Sequence, residues 1–243
     1  MSANRDAAQA RIVLISPGQA ETAGSILARS HADYPSFRHL FPDDERRPRA
    51  LRALFTGVAR DAAQLGSAYG TMGPDGELHG VALWLAPGRF PWSAVRQFRG
   101  AAWMLSVLRA YPGSFRAFMQ AGANGARLHP ADRHWYLETM GVDPALQRQG
   151  LGGRLLEPVL EIADRDQVDC YLETAERRNA DYYARHGFVV ENPALQLVSG
   201  GPVHIAMRRR PTAAPGCETN RALDERKQPM GMAAQDAGPR VAR

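Results

Sequence analysis

The chain has 243 residues, 44% of them hydrophobic and 23% charged, with a net charge of +5 at pH 7. That composition suits one large soluble domain with appendages and a real buried core. The two cysteines, Cys170 and Cys217, are too few and too far apart for a disulfide scaffold or a zinc site. No run approaches the roughly 18 apolar residues of a membrane span. The positive charge is scattered and suits an anionic small ligand; neither a nucleic-acid nor a membrane partner is expected. Its one tight cluster, Arg208-Arg209-Arg210, reads as a solvated flank at the end of a strand.

In chain order, residues 1–10 are small and polar and are expected to be disordered. The opening stretch also lacks the apolar core of a signal peptide, so a cytoplasmic location is expected, which also fits two free thiols. "RIVLIS" from Arg11 to Ser16 predicts a strand. Helical spacing follows, with Ala20, Ile26, Leu27 and Ala32 on one face. An acidic start at Asp43-Asp44-Glu45 leads into a second helical pattern through Leu51, Leu54, Phe55 and Val58. "GPDG" between two β-rich runs predicts a hairpin, its second strand from Gly80 to Leu85 apolar enough to be central.

Residues 90–127 form a helical insert broken at Pro112-Gly113. Its stripe Val95, Phe98, Ala102 and Leu105 is expected to pack into the core, or else to wall a pocket. Trp84, Trp92 and Trp103 are expected in the core, with pocket lining as the alternative. A strand from His134 to Val142, a helix from Gln149 to Asp164 and a strand from Val168 to Thr174 follow. Then come a short helix from Asn179 to His186 and strands at Phe188–Glu191 and Val203–Arg208. Cys170 is expected to be buried and inert. From Pro211 the chain is rich in Pro and Gly and poor in aliphatic residues, so residues 211–243 read as a disordered tail. Residues 11–210 then form a single α/β (α+β) domain with a mixed sheet.

The segment with most chemistry is "QRQGLGG", Gln147 to Gly153, between a strand and a helix. A helix start offers unpaired N–H groups and partial positive charge, and glycine lets a ligand approach the backbone, so this loop suits a phosphate or pyrophosphate. It lacks the Gly-Lys-[Ser/Thr] ending of a P-loop and the glycine spacing of a dinucleotide fingerprint. Arg148 and Arg154 are placed to add charge-assisted contacts. A turn that needs its glycines only for packing is the alternative reading.

Gln147-x-x-Gly150-x-Gly152 resembles the acetyl-CoA signature of the GCN5-related N-acetyltransferase (GNAT) superfamily. "NADYYARHGF" is similar to the same family's N-x-x-x-Y-x-x-x-G-F segment at Asn179, Tyr183, Gly187 and Phe188. "LET" at Leu172–Thr174 looks like the puromycin N-acetyltransferase-like branch. The resemblance implies a GNAT-like, mostly antiparallel central sheet with two splayed strands, flanked by helices. It implies acetyl-CoA in the gap, its pantetheine arm along Met140, Gly141 and Val142, with a bulge at Gly141. Its pyrophosphate would lie on Gln147, Arg148, Gln149, Gly150, Leu151, Gly152, Gly153 and Arg154.

It further implies Tyr183 as general acid, with Tyr182 the fallback, and Asn179 either on the cofactor arm or capping its helix. Direct attack by an amine in a ternary complex is implied, without metal and without Cys170 as nucleophile. The base is open between Glu138 and Glu173, with His134 and His186 more often surface residues. The expected acceptor is a small-molecule primary amine. A protein lysine or N-terminal acetyltransferase and a silent acyl-CoA-binding sensor are the alternatives. The sequence does not specify an oligomeric state and is compatible with a homodimer.

Overall fold

The computed structural model describes residues 10–212. The two expected disordered segments lie outside this range except for Ala10, Pro211 and Thr212. Ala10 is buried against Leu151, and Thr212 N–H donates to Asp164 at 2.9 Å, so order extends slightly past the expected domain limits.

The strands are β1 (Arg11–Leu14), β2 (Ala68–Met72), β3 (Leu78–Leu85), β4 (His134–Val142), β5 (Asp169–Thr174), β6 (Val189–Gln196) and β7 (Val203–Arg209). The helices are α1 (Ala20–Ser30), α2 (Pro35–Leu40), α3 (Arg47–Gln64), α4 (Ala94–Ala110), α5 (Phe115–Leu128), α6 (Leu151–Asp166) and α7 (Arg177–Ala184). Among the described residues they build one sheet, ordered β1-β2-β3-β4-β5-β7-β6. Only the β4–β5 pair is parallel. This agrees with the expected mixed, mostly antiparallel sheet flanked by helices.

Every residue of β3 is buried, as a central strand covered on both faces requires. Side chains alternate across a strand, so Val81 and Leu83 join α1 and α3 in one core, while Ala82 and Trp84 join α6, β5 and β7 in the other. α1 approaches α3 at Gly24, where an added Cβ would lie 2.7 Å from Thr56 Cα.

β4 and β5 pair only from His134↔Asp169 to Leu137↔Leu172. Beyond these the strands part, which opens a cleft at the middle of the sheet. The irregularity on the other edge of β4 falls at Glu138: Leu83 faces Thr139, Trp84 faces Leu137, and Glu138 is the extra residue. The bulge expected at Gly141 is therefore displaced by three positions. Gly141 pairs regularly with Val81, and its missing side chain leaves room for Ser30 and Leu27 of α1.

Three other expectations are corrected. The stripe Val95, Phe98, Ala102 and Leu105 faces solvent, and α4 instead turns Arg96, Gly100 and Val107 inward. Arg208 and Arg209 are not a solvated flank. Arg209 is buried and bidentate to Asp164 at 2.7 Å, and Arg208 is held by Asp132, Asp169 and Glu191. His134 is buried rather than at the surface and lies 2.8 Å from His129. Cys170 is buried as expected, and burial pushes its thiol up to about 12. Cys217 lies outside the described residues.

Candidate active site

The parted strands border two adjacent cavities that share lining residues. The outer cleft, about 790 Å³, runs between the Gln147–Gly153 loop and α7. The inner chamber, about 270 Å³, lies between α1, α2, α3 and the strand ends. Such volumes suit a cofactor arm and a small ligand respectively.

The loop is shaped by two left-handed residues, Arg148 at φ 63° and Gly150 at φ 84°. Gly150 is the residue before α6, a position where an L side chain is strained. Its carbonyl accepts from Gly153 N–H at 3.1 Å and Arg154 N–H at 3.4 Å. The first helical N–H groups, of Leu151 and Gly152, have no carbonyl within the helix, as at any helix start. The other two glycines answer a steric need. A Cβ on Gly152 would meet the Tyr182 hydroxyl at 2.7 Å, and one on Gly153 would meet the His186 ring at 3.2 Å. The phosphate-loop and packing readings of this segment therefore both have a physical basis, at different glycines.

Of the residues expected on a cofactor, Met140, Gly141, Val142, Gln147, Arg148, Gly150, Leu151, Gly152, Gly153 and Asn179 line the outer cleft. Gln149 and Arg154 do not. Gln147 donates through Nε2 to the Val142 carbonyl at 3.1 Å, which ties the loop to the end of β4. Asp143 N–H donates across to His79 on the β3 side. By strand alternation the N–H and C=O of Met140 and Val142 point the other way, into the gap left by β5.

Tyr183 and Asn179 line both cavities, as do Met140, His31 and Tyr34. Tyr183 is buried against Phe188, and burial raises its phenol well above the ordinary value, so it is a neutral donor at physiological pH. Asn179 is in the third position of α7; the cap position is Glu176, so Asn179 does not cap its helix. Tyr182 packs on the ring of His186, its hydroxyl buried without a protein partner and pushed up to about 12 by burial.

The two candidate carboxylates both line the inner chamber but differ in environment. Glu173 accepts from Tyr136 Oη at 2.7 Å and faces His129 Nδ1 at 3.9 Å, so it is anchored. Glu138, on the bulge, has a buried Oε2 with no hydrogen-bond partner. Burial raises its carboxyl to about 7, against the opposing pull of Arg96. His134 and His186 line neither cavity.

Sequence reasoning missed His31, Tyr34, Phe37, Phe55 and His204. His31 Nδ1 lies 2.9 Å from the Leu27 carbonyl, which can only accept, so Nδ1 carries the proton and Nε2 faces Thr139 Oγ1 at 3.4 Å. Burial pushes His31 down to about 4, so it is neutral at pH 7. Its ring packs against Phe55 at 5.0 Å and Tyr34 at 5.6 Å, and Phe37 packs against Phe55 at 5.2 Å. Tyr34 Oη accepts from Ala175 N–H at 2.6 Å and is 3.1 Å from Thr174 Oγ1, so it fastens the start of α2 to the β5 end across the cleft. The only available signal for these residues was an aromatic-rich stretch around Tyr34 and Phe37. No residue of the 90–127 insert lines the chamber, contrary to the pocket-wall alternative. Trp84 is core, while Trp103 packs over Gly57 of α3 and pairs with Trp92 at 6.0 Å.

Comparison with known proteins agrees with this architecture. The acetyltransferase (GNAT) family profile matches residues 28–188. An uncharacterized N-acetyltransferase of Schizosaccharomyces pombe is 29% identical over 124 residues, which is 48% of this chain and 49% of that protein. The chain thus aligns with about half the length of this curated relative. Among solved structures, the fold is similar to a histone acetyltransferase HPA2 and related acetyltransferase from Corynebacterium glutamicum. That match has 23% identity and a TM-score of 0.63, over 85% of this chain and 98% of that one. It is also similar to PaiA N-acetyltransferase from Thermoplasma acidophilum in complex with coenzyme A. There the identity is 13% and the TM-score 0.51, over 83% and 98% of the two chains. With a profile spanning the β4–α6 loop, the whole lining of the outer cleft and α7, this chain belongs to the acetyltransferase (GNAT) family.

Proposed function

We propose that the protein transfers an acetyl group from acetyl-CoA to the primary amine of a small molecule, by direct attack in a ternary complex. The observation that carries this reading is that Tyr183 and Asn179 line both the outer cleft and the inner chamber. Bound acetyl-CoA supplies an acetyl group activated as a thioester. The residues fit it: the Leu151 and Gly152 N–H groups and Arg148 suit a pyrophosphate, and the cleft-facing backbone of Met140 and Val142 suits an amide-bearing arm laid alongside as an added strand. Asn179 is placed to hydrogen-bond that arm.

In the chamber Glu138 serves as base. Its raised carboxyl takes a proton from the bound ammonium near neutral pH, leaving a nucleophilic amine. Glu173, anchored by Tyr136, holds the chamber wall and supplies negative charge that favours a cation. Tyr183 gives its phenolic proton to the departing sulfur, and its phenolate recovers the second proton of the amine. Cys170 lines neither cavity and its thiol is held protonated, which supports direct transfer over a covalent acyl-enzyme.

The small, aromatic-lined chamber favours a small amine over a lysine carried on a peptide. The Leu172–Thr174 segment supports a place near the puromycin N-acetyltransferase-like branch. Dependence on acetyl-CoA, with a buried free thiol, supports a cytoplasmic location. The test is a panel of small amines with free coenzyme A thiol as readout. Tyr183→Phe is expected to lower kcat on the accepted amine by about 100-fold with little change in KM. Equal turnover by Tyr183→Phe would remove the general-acid role. Acetylation of peptides but no small amine would overturn the acceptor class.

A further inference from the structure

The stripe on α4 that the sequence places in the core is instead the most exposed apolar surface of the described residues. Val95 is 70% exposed, Phe98 82% and Leu105 47%; on α5, Phe115 is 51% and Met119 59% exposed. Large apolar side chains presented in consecutive helices at this exposure need a partner.

The charges of the same segment identify its chemistry. From Phe90 to Arg127 the chain holds five arginines and no Asp or Glu. Arg96 turns inward to Asp61 at 2.7 Å. The other four, Arg99, Arg109, Arg116 and Arg127, are exposed, and none forms an ion pair with a carboxylate among the described residues. At the helical repeat, Arg109 falls within the arc of Val95, Phe98, Ala102 and Leu105, and Arg99 lies at its edge beside Val95. Arg116 and Arg127 flank the arc of Phe115, Met119, Gly122 and Ala126. The outward face of each helix therefore combines large apolar side chains with arginine, a combination suited to a lipid–water interface.

We infer that the outward faces of α4 and α5 dock the protein on an anionic phospholipid bilayer. The phenyl, leucyl and methionyl side chains enter the headgroup–acyl boundary while the arginines meet lipid phosphates. A symmetric dimer through this face would set the same arginines against one another, in an isologous contact with no acidic residue of the segment to offset them. A bound peptide would call for a concave groove, yet neither the outer cleft nor the inner chamber includes a residue of α4 or α5. That no helix among the described residues is long and apolar enough to cross a membrane does not bear on this surface, because an interfacial helix does not span.

The experiment is co-sedimentation of the full chain with phosphatidylcholine vesicles with and without phosphatidylglycerol, at low and high salt. Phe98→Ser and the double variant Arg99→Glu/Arg116→Glu are compared, with circular dichroism as the check that each is folded and acetyl-CoA binding measured separately. The native chain is expected to bind vesicles containing phosphatidylglycerol at least about tenfold more tightly than phosphatidylcholine alone, and high salt should weaken it. Phe98→Ser is expected to lose about tenfold through lost insertion, and the charge reversal more than about tenfold. No sedimentation at low salt, or sedimentation indifferent to Phe98→Ser, overturns the docking surface. Self-association in the absence of vesicles that Phe98→Ser abolishes would instead make this face a dimer contact. Failure of acetyl-CoA to bind would count against the proposed function and leave this inference standing.

Discussion

Glu138 and Tyr183 stand on different elements and their environments set them apart, the carboxyl near neutrality and the phenol well above it, which suits an acid–base pair working at pH 7. The environment of Glu138 has a consequence for both rate and stability. Its folded-state carboxyl titrates at about 7, above an ordinary carboxylate, because burial penalises its charged form. As base it works ionised, so kcat/KM is expected to rise with pH and level off above about 7. The sign for stability is the reverse. Between the unfolded value, near 4.5, and about 7 the folded chain holds the extra proton, so this group's contribution falls as pH rises through that window. Glu138→Gln is therefore expected to melt higher than the native chain at pH 8 and close to it at pH 4.5, while losing the pH-dependent limb of activity. Calorimetric melts and a pH–rate profile measure both. A variant melting equally or lower at pH 8, with the limb intact, would return Glu138 to a structural role.

At the scale of elements, glycine placement separates packing from flexibility. Gly24 lets α1 meet the backbone of α3, where a Cβ has no room beside Thr56. Gly122 of α5 has open space around it. Gly24→Ala is expected to cost about 1–3 kcal/mol in urea unfolding, and Gly122→Ala to gain up to about 1 kcal/mol from helix propensity alone. Equal effects would mean that the α1–α3 contact is looser than the structure shows.

Element order was legible because turn residues and periodicity are local: the "GPDG" hairpin, the central β3 and the Gln147–Gly153 loop all stand where the spacing predicts. The inward face of α4 was not legible, because the helix carries two apolar arcs. Periodicity finds both, but the choice rests on tertiary partners, Trp103 over Gly57 and Arg96 on Asp61. The bulge at Glu138 was hidden for the same reason: it is a mismatch of register between β3 and β4, set by pairing rather than by any residue type.

For the whole molecule, the cleft exists because β4 and β5 pair over four residues and then part, while α1, α6 and α7 close around the gap. The loop and α7 were recognisable in sequence because each is a contiguous motif. The inner chamber was not, since His31, Phe55, Glu138, Glu173 and His204 come from five separate elements or turns that only the fold brings together. The same limit applies to charge. Arg208 and Arg209 look like a surface cluster in the sequence and are in fact clamps, because Asp132, Asp164, Asp169 and Glu191 reach them from distant positions.

The central claim is that the cleft at the parted strands binds acetyl-CoA. Isothermal titration of acetyl-CoA into the native chain and into Gly150→Trp tests it most directly, with circular dichroism to confirm that both are folded. An indole at Gly150 enters the open space beside the α6 start, where the pyrophosphate is expected. Micromolar binding by the native chain, lost in the variant, is the predicted result. No binding by the folded native chain, or binding unchanged in Gly150→Trp, would contradict the account.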